Sequence, residues 1–140
     1  MVVSSSESVY VYLRVTAEQL PLREISISMG IDPTESWRKG DAGTHNPSRP
    51  DSGWCLYSPL PRSNLRIDEH IDALLPVLEE RSAAVRDLSK RFDTYLVCVG
   101  HFTDSSPGLF LSKSVVARIA ELGLSVDCDL YCSRGSVDGA

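Results

Sequence analysis

The sequence predicts a single α+β domain, and three observations predict it. Apolar and polar residues alternate along residues 9–15 and 125–132, the period of a half-buried strand. Residues 67–92 carry Ile67, Ile71, Leu74, Leu75, Leu78, Val85, Leu88 and Phe92 at three- and four-residue steps, the period of a helix with one buried stripe. Residues 94–102 are apolar at odd and even positions alike, which suits a central strand covered on both sides.

In the first strand Val9, Val11, Leu13 and Val15 share one face, and Tyr10, Tyr12 and Arg14 the other. Residues 19–29 follow as a short helix, with Pro21 in its first turn and Gly30 as its stop. Asp32-Pro33-Thr34 is turn chemistry. Residues 35–39 form a short strand carrying Trp37, residues 40–52 a polar loop, and residues 53–58 a second short strand carrying Trp54 and Tyr57. These make a hairpin with a long loop. Ser63 or Asn64 is expected to cap the long helix. Pro76 lacks an N–H and clashes one turn back, so a kink or a division is expected there.

After the doubly apolar strand, Ser112 caps a last helix with Val115, Val116, Ile119, Ala120 and Leu122 inward, and Gly123 ends it. In residues 125–132 Val126, Cys128 and Leu130 oppose Asp127, Asp129 and Tyr131. Carboxylates on one face suit an exposed edge strand. The order is β-α-β-β-α-β-α-β. Its first six elements form a ferredoxin-like β-α-β-β-α-β core. The C-terminal α-β adds a fifth strand beside residues 94–102 by a right-handed crossover. The expected fold is a five-stranded, mostly antiparallel sheet with helices on one face. Residues 1–140 make one domain, with residues 1–8 and 133–140 as frayed tails.

Bulk properties narrow the function classes. The chain has 140 residues, 42% hydrophobic and 24% charged, enough for one core without a metal or disulfide staple. A net charge of -5 argues against a nucleic-acid partner. No apolar run approaches the roughly 18–20 residues of a membrane span. Residues 1–8 are Ser-rich without a basic region or apolar core, so a cytoplasmic protein is expected. Cys55, Cys98, Cys128 and Cys132 form no C-x-x-C pair, and all four are expected to be reduced and structural.

Six segments, in order, resemble a bacterial family catalogued as a domain of unknown function, number 4279. They are YVYLRV at 10–15, DPTESWRKGD at 32–41, GWCLYS at 53–58, HIDALLPVL at 70–78, SSPGLFLS at 105–112 and LSVDCDLY at 124–131. SWRKGD followed by GW is the most specific part. Pro76 and Lys113 are small departures. The resemblance implies a small stand-alone bacterial cytoplasmic protein, and it implies no activity.

The candidate site is the hairpin: Trp37, Arg38, Lys39 and Asp41 with Trp54. Two tryptophans beside a basic, Gly-rich loop suit a planar ligand or a partner surface. Alternatively both plug the end of the sheet, with Lys39 and Asp41 a solvated pair. Arg38, Lys39, Arg49, Arg62 and Arg66 would favour an anionic partner there. His101, Asp104 and Ser105 could support base-assisted nucleophilic chemistry. No G-x-S-x-G elbow accompanies them, so a turn-capping Asp beside a half-exposed His is preferred. His45, His70 and His101 are too scattered for a local ligand pair, and Asp127 with Asp129 is better explained as an edge device than as a metal site. No phosphate-binding glycine loop is present. No catalytic residue, metal or cofactor is assigned. The function expected is a non-enzymatic binding or protein-interaction module, of immunity or adaptor type, as monomer or homodimer. The alternative is a small-ligand binder or unrecognised enzyme at the same Trp37/Trp54 end.

Overall fold

The computed structural model describes residues 7–104 and 108–133. Nine elements follow one another: β1 (Ser8–Ala17), α1 (Leu22–Met29), β2 (Glu35–Trp37), β3 (Ser52–Tyr57), α2 (Ile67–Glu79), α3 (Ser82–Arg91), β4 (Asp93–Phe102), α4 (Lys113–Glu121) and β5 (Ser125–Cys132). The strands form one five-stranded sheet in the order β2-β3-β1-β4-β5. β1 pairs antiparallel with β3 and β4, β2 pairs antiparallel with β3, and β5 joins β4 in parallel. The fold is α+β, with the fifth strand where the doubly apolar run placed it.

Strand alternation decides which side is covered. Val9, Val11, Leu13 and Val15 are wholly buried and share one core with Ile25 and Met29 of α1, Leu74 and Leu78 of α2, Val85 and Leu88 of α3, and Ile119 of α4. All four helices therefore lie on the side of these valines. Each such side chain stabilises by about 1.5–3 kcal/mol relative to exposure. Among the described residues the other side of the sheet carries no helix.

Four features differ from expectation. α1 starts at Leu22 with Pro21 as its N-cap, because Leu20 is already buried in the core just before it. At α2 the N-cap is Arg66. Asn64 acts two residues earlier: its Oδ1 accepts from Arg66 N–H at 2.9 Å and its Nδ2 donates to Glu69 at 2.8 Å. The long helix does divide, but at Glu80–Arg81 and not at Pro76, which α2 carries inside it. Pro76 and Asp72, one turn back, both lie on the exposed side, so the missing helix bond and the ring fall on the solvent face and not in the core. Arg81 holds the break, donating through Nε to Met29 O at 2.7 Å and through Nη1 to Val77 O at 3.0 Å.

The fourth difference is at the sheet's edge. In β5 only Leu130 packs against the core, while Val126 and Cys128 are exposed and Asp127 and Asp129 are half-buried. β5 is the outermost strand, and Asp127 turns back over the sheet to pair with Arg14 at 3.5 Å. The expected tails are also shorter within the described residues. Ser8 pairs with His101, Glu7 accepts from Thr103 N–H at 3.0 Å, and Ser133 N–H donates to Phe102 O at 2.8 Å.

His70 is buried, with Nε2 donating to Asn64 O at 2.8 Å and Nδ1 3.1 Å from Ser58 Oγ. It ties α2 to the segment after β3. Among the described residues no helix is long and apolar enough to cross a membrane.

Candidate functional site

The two tryptophans lie on opposite sides of the sheet. Trp54 pairs with Val15 and Ser36, so it points into the helix-covered core, where it is 0% exposed. Its indole Nε1 donates to Ser26 Oγ of α1 at 3.0 Å. Trp37 pairs with Gly53, which pairs with Thr16, so it belongs to the helix-free face. There it is half-buried. A Cβ on Gly53 would stand 2.1 Å from the Trp37 ring, so only glycine lets the indole lie down on the strand. The Arg49 guanidinium covers the ring, 4.0 Å from its centroid.

The polar residues of the hairpin are occupied locally. Asp41 closes a turn, accepting from Arg38 N–H at 2.8 Å, while its carbonyl accepts from Arg49 N–H at 2.7 Å. Lys39 pairs with Glu18 instead of Asp41, because the Asp41 carboxylate is turned onto the Arg38 amide. The ammonium beside Glu18 holds that carboxyl below its usual range. Arg38 is exposed at the turn. The five cations do not gather at one place. Arg49 and Arg62 lie on the helix-free face, whereas Arg66 pairs with Asp68 at 2.9 Å. His101 stacks on Tyr131, ring centroids 5.0 Å apart, and lies 6.2 Å from Tyr10. Asp104 is exposed beyond the end of β4, and Ser105 lies outside the described residues.

The register brings together a set that the linear sequence separates. The chain has five tyrosines. Tyr12 pairs with Tyr57, Arg14 with Tyr95 and His101 with Tyr131, and alternation puts Tyr10 beside Tyr12, so all of them share the helix-free face. Tyr12 and Tyr57 stack at 4.5 Å, as direct cross-strand partners do. Tyr10 lies 6.2 Å from Tyr12 and 6.1 Å from Tyr57. Three arginines lie over these rings: Arg62 at 3.9 Å from Tyr10, Arg14 at 5.2 Å from Tyr95, and Arg49 on Trp37.

Two open grooves cross this face and share Glu35 and Tyr57. One, of about 510 Å³, runs past Tyr10 and Arg62. The other, of about 480 Å³, runs past Tyr12, Arg14, Trp37 and Arg49. Glu35 stands between them, accepting from Tyr57 Oη–H at 3.2 Å and facing Arg49 at 3.8 Å. Burial and the Glu35 charge raise the Tyr57 hydroxyl far above its ordinary range, and burial raises Tyr12 as well. Burial, then Glu35, pushes the Cys55 thiol up to about 12. Arg14 Nε, Trp37 Nε1 and Arg49 Nε are buried without a hydrogen-bond partner among the described residues. A buried unmet donor costs about 1–3 kcal/mol, and three of them at one end of this face make it a place of unused hydrogen-bonding capacity.

The sequence profile described as Domain of unknown function (DUF4279) matches residues 7–133. The chain belongs to that family. The match takes in every strand and helix of the sheet domain, so the tyrosine face lies inside the DUF4279 domain. No curated protein and no solved structure matches the chain.

Sequence reasoning found Trp37 but missed Tyr10, Tyr12, Arg14, Arg49, Tyr57, Arg62 and Tyr131 as one surface. The available signal was the outward set of the first strand. Tyr10, Tyr12 and Arg14 are more aromatic than a solvated face requires.

Proposed function

We propose that this DUF4279 protein is a non-enzymatic binding module that holds a protein partner on the helix-free face of its sheet. The observation that carries the reading is the gathering of all five tyrosines, Trp37 and three ring-stacked arginines on that face. Tyrosine, tryptophan and arginine dominate binding energy at protein interfaces. Tyrosine offers a large rigid ring with a polar tip at small entropic cost.

Size favours a protein over a small molecule. Five strands spaced about 4.8 Å apart and some eight residues long give a face of roughly 600 Å². That approaches the ~800 Å² each partner contributes to a standard interface. Small ligands are held in clefts that enclose 70–90% of them, whereas both grooves here lie open along the sheet. A cytoplasmic bacterial setting and an immunity or adaptor role fit the same reading. Its support is the four free thiols, which oxidising compartments tend to pair.

The test is comparative capture from host lysate, using the parent, Tyr12→Ala, Arg62→Ala and Lys39→Ala, each shown to be folded by circular dichroism. A protein retained by the parent and Lys39→Ala but lost from both face variants supports the proposal. Capture that is unchanged in both face variants sinks it.

A further inference from the structure

β4 and β5 run parallel in a register that sets Cys98 directly opposite Cys128. We propose that these two cysteines form a reversible thiol–disulfide site, oxidised by small cationic disulfides, that fastens the edge strand β5 to β4. The proposal is independent of what binds the tyrosine face.

The geometry selects this pair. Neighbouring strands lie about 4.8 Å apart, inside the Cα separation of about 4.4–6.8 Å that a disulfide spans. Both side chains point to the helix side of the sheet, which sets the two thiols side by side. The other pairings fail. Cys132 lies four residues along the same strand, about 13 Å away by strand rise. Cys55 pairs with Arg14 on the opposite face.

Exposure divides the labour. Cys128 is exposed and Cys98 is 0% exposed. The Cys128 thiolate attacks a disulfide RSSR, forming a Cys128–SR bond and releasing RS⁻. The Cys98 thiolate then attacks the Cys128 sulfur, forming the Cys98–Cys128 bond and releasing the second RS⁻. Two protein thiols are oxidised, one external disulfide is reduced to two thiols, and the two protein protons pass to solvent or to the released thiolates. Burial raises both thiols, and the charges of Asp127 and Asp129 raise Cys128 further. Asp127 is paired with Arg14 on the other face of the sheet, so Asp129 is the neighbouring carboxylate that repels an anionic disulfide and attracts an ammonium group. Thiols of high pKa are poor leaving groups, so the bond forms slowly and resists exchange once made.

Cystamine is the probe, applied in excess to the folded full-length protein at mildly alkaline pH. Free thiols should fall from four to one: the Cys98–Cys128 bridge removes two, with a linked pair of tryptic peptides about 2 Da lighter than their sum, exposed Cys132 takes a mixed disulfide, and no dimer forms. Dithiothreitol should restore all four. The Cys55→Ser/Cys132→Ser variant should form the same bridge, losing both its thiols and about 2 Da with no adduct. Cys98→Ser should stop at a mixed disulfide on Cys128, and Cys128→Ser should leave Cys98 unmodified. Cystamine should outpace glutathione disulfide, with the gap narrowing in high salt as screening grows. Four thiols remaining, a bridge through Cys132, or a Cys128 adduct in the parent that Cys98 never resolves would overturn the site. Equal rates with the two disulfides would overturn its preference for cations.

Discussion

Replacing Gly53 with Ala tests how Trp37 is seated. Gly53 has an ordinary strand backbone, unlike Gly30, Gly40, Gly108 and Gly123 with their positive φ, so a Cβ brings no backbone strain. It would, however, lie 2.1, 2.4 and 2.5 Å from three carbons of the Trp37 ring. Carbon pairs settle at about 3.5–4.0 Å, so the indole must retreat by roughly 1.5 Å. Arg49 blocks the retreat from the other side at 4.0 Å. Overpacking costs about 1–3 kcal/mol, and losing the Arg49 stack about 0.5–1 kcal/mol more, so Gly53→Ala should destabilise by about 2–3 kcal/mol. In a Trp37→Ala background the same substitution meets open space, and it should stabilise by about 0.5–1 kcal/mol, because glycine loses more chain entropy in a strand. The sign reverses, with a coupling of about 3 kcal/mol. Urea melts of the four proteins in the cycle measure it, with Trp37 fluorescence reporting the ring's release. Additive effects within about 0.5 kcal/mol would refute the close seating of the indole on the strand.

Three further outcomes are expected. Trp54→Ala opens a cavity in the core and should cost about 3–5 kcal/mol by urea melt, whereas Trp37→Ala at a half-buried site should cost about 1 kcal/mol. Changing both Asp127 and Asp129 to Val strips the charge from an edge strand, and light scattering should show association; a variant as soluble as the parent would deny β5 its role as guarded edge. Tyr12, Tyr57 and Cys55 bind their protons more tightly when folded, so the stability they give is fully present below the unfolded values of about 8.5 for Cys and 10 for Tyr and is lost as pH rises through the folded ones. Alkaline melts should therefore weaken above about pH 9, and tyrosinate absorbance should show two of the five tyrosines ionising late.

The strands and helices were legible because their signals are local. The alternation of Val9 to Val15 marked β1, and Ser112 and Gly123 bracketed α4 as read, with Ser112 Oγ accepting from Val115 N–H at 3.1 Å. The division at Arg81 was not legible, since the residue that holds it bonds Met29 O, fifty-two positions away in the chain. The binding surface was hidden for a similar reason. Trp37 and Trp54 look like a pair in a hairpin, yet one step of register sends them to opposite faces. Tyr12 and Tyr57 look unrelated, and the β1–β3 ladder makes them partners. The mixed polarity of β5 misled in a different way. Its Val126 and Cys128 sit on the inward parity, but on the last strand of a sheet that parity is only partly covered.

Of the five strands of the sheet β1 is made first, yet it lies in the middle, where residue 17 pairs with residue 52 and residue 8 with residue 101. At the ribosome's roughly 5–20 residues per second, β1 waits on the order of 4–20 s for β4. Until β3 is made, a run of Val, Tyr and Leu with high strand propensity has both edges open, and the edge that takes β4 stays open throughout the interval. Arg14 is the one charge inside it, and it acts as a gatekeeper while the chain is unfinished. The same long-range closure belongs to the slower class of folding topologies, milliseconds to seconds. Removing the charge at position 14 therefore burdens the nascent chain before it touches the finished protein, and soluble yield on expression should fall further than the melting temperature alone would suggest.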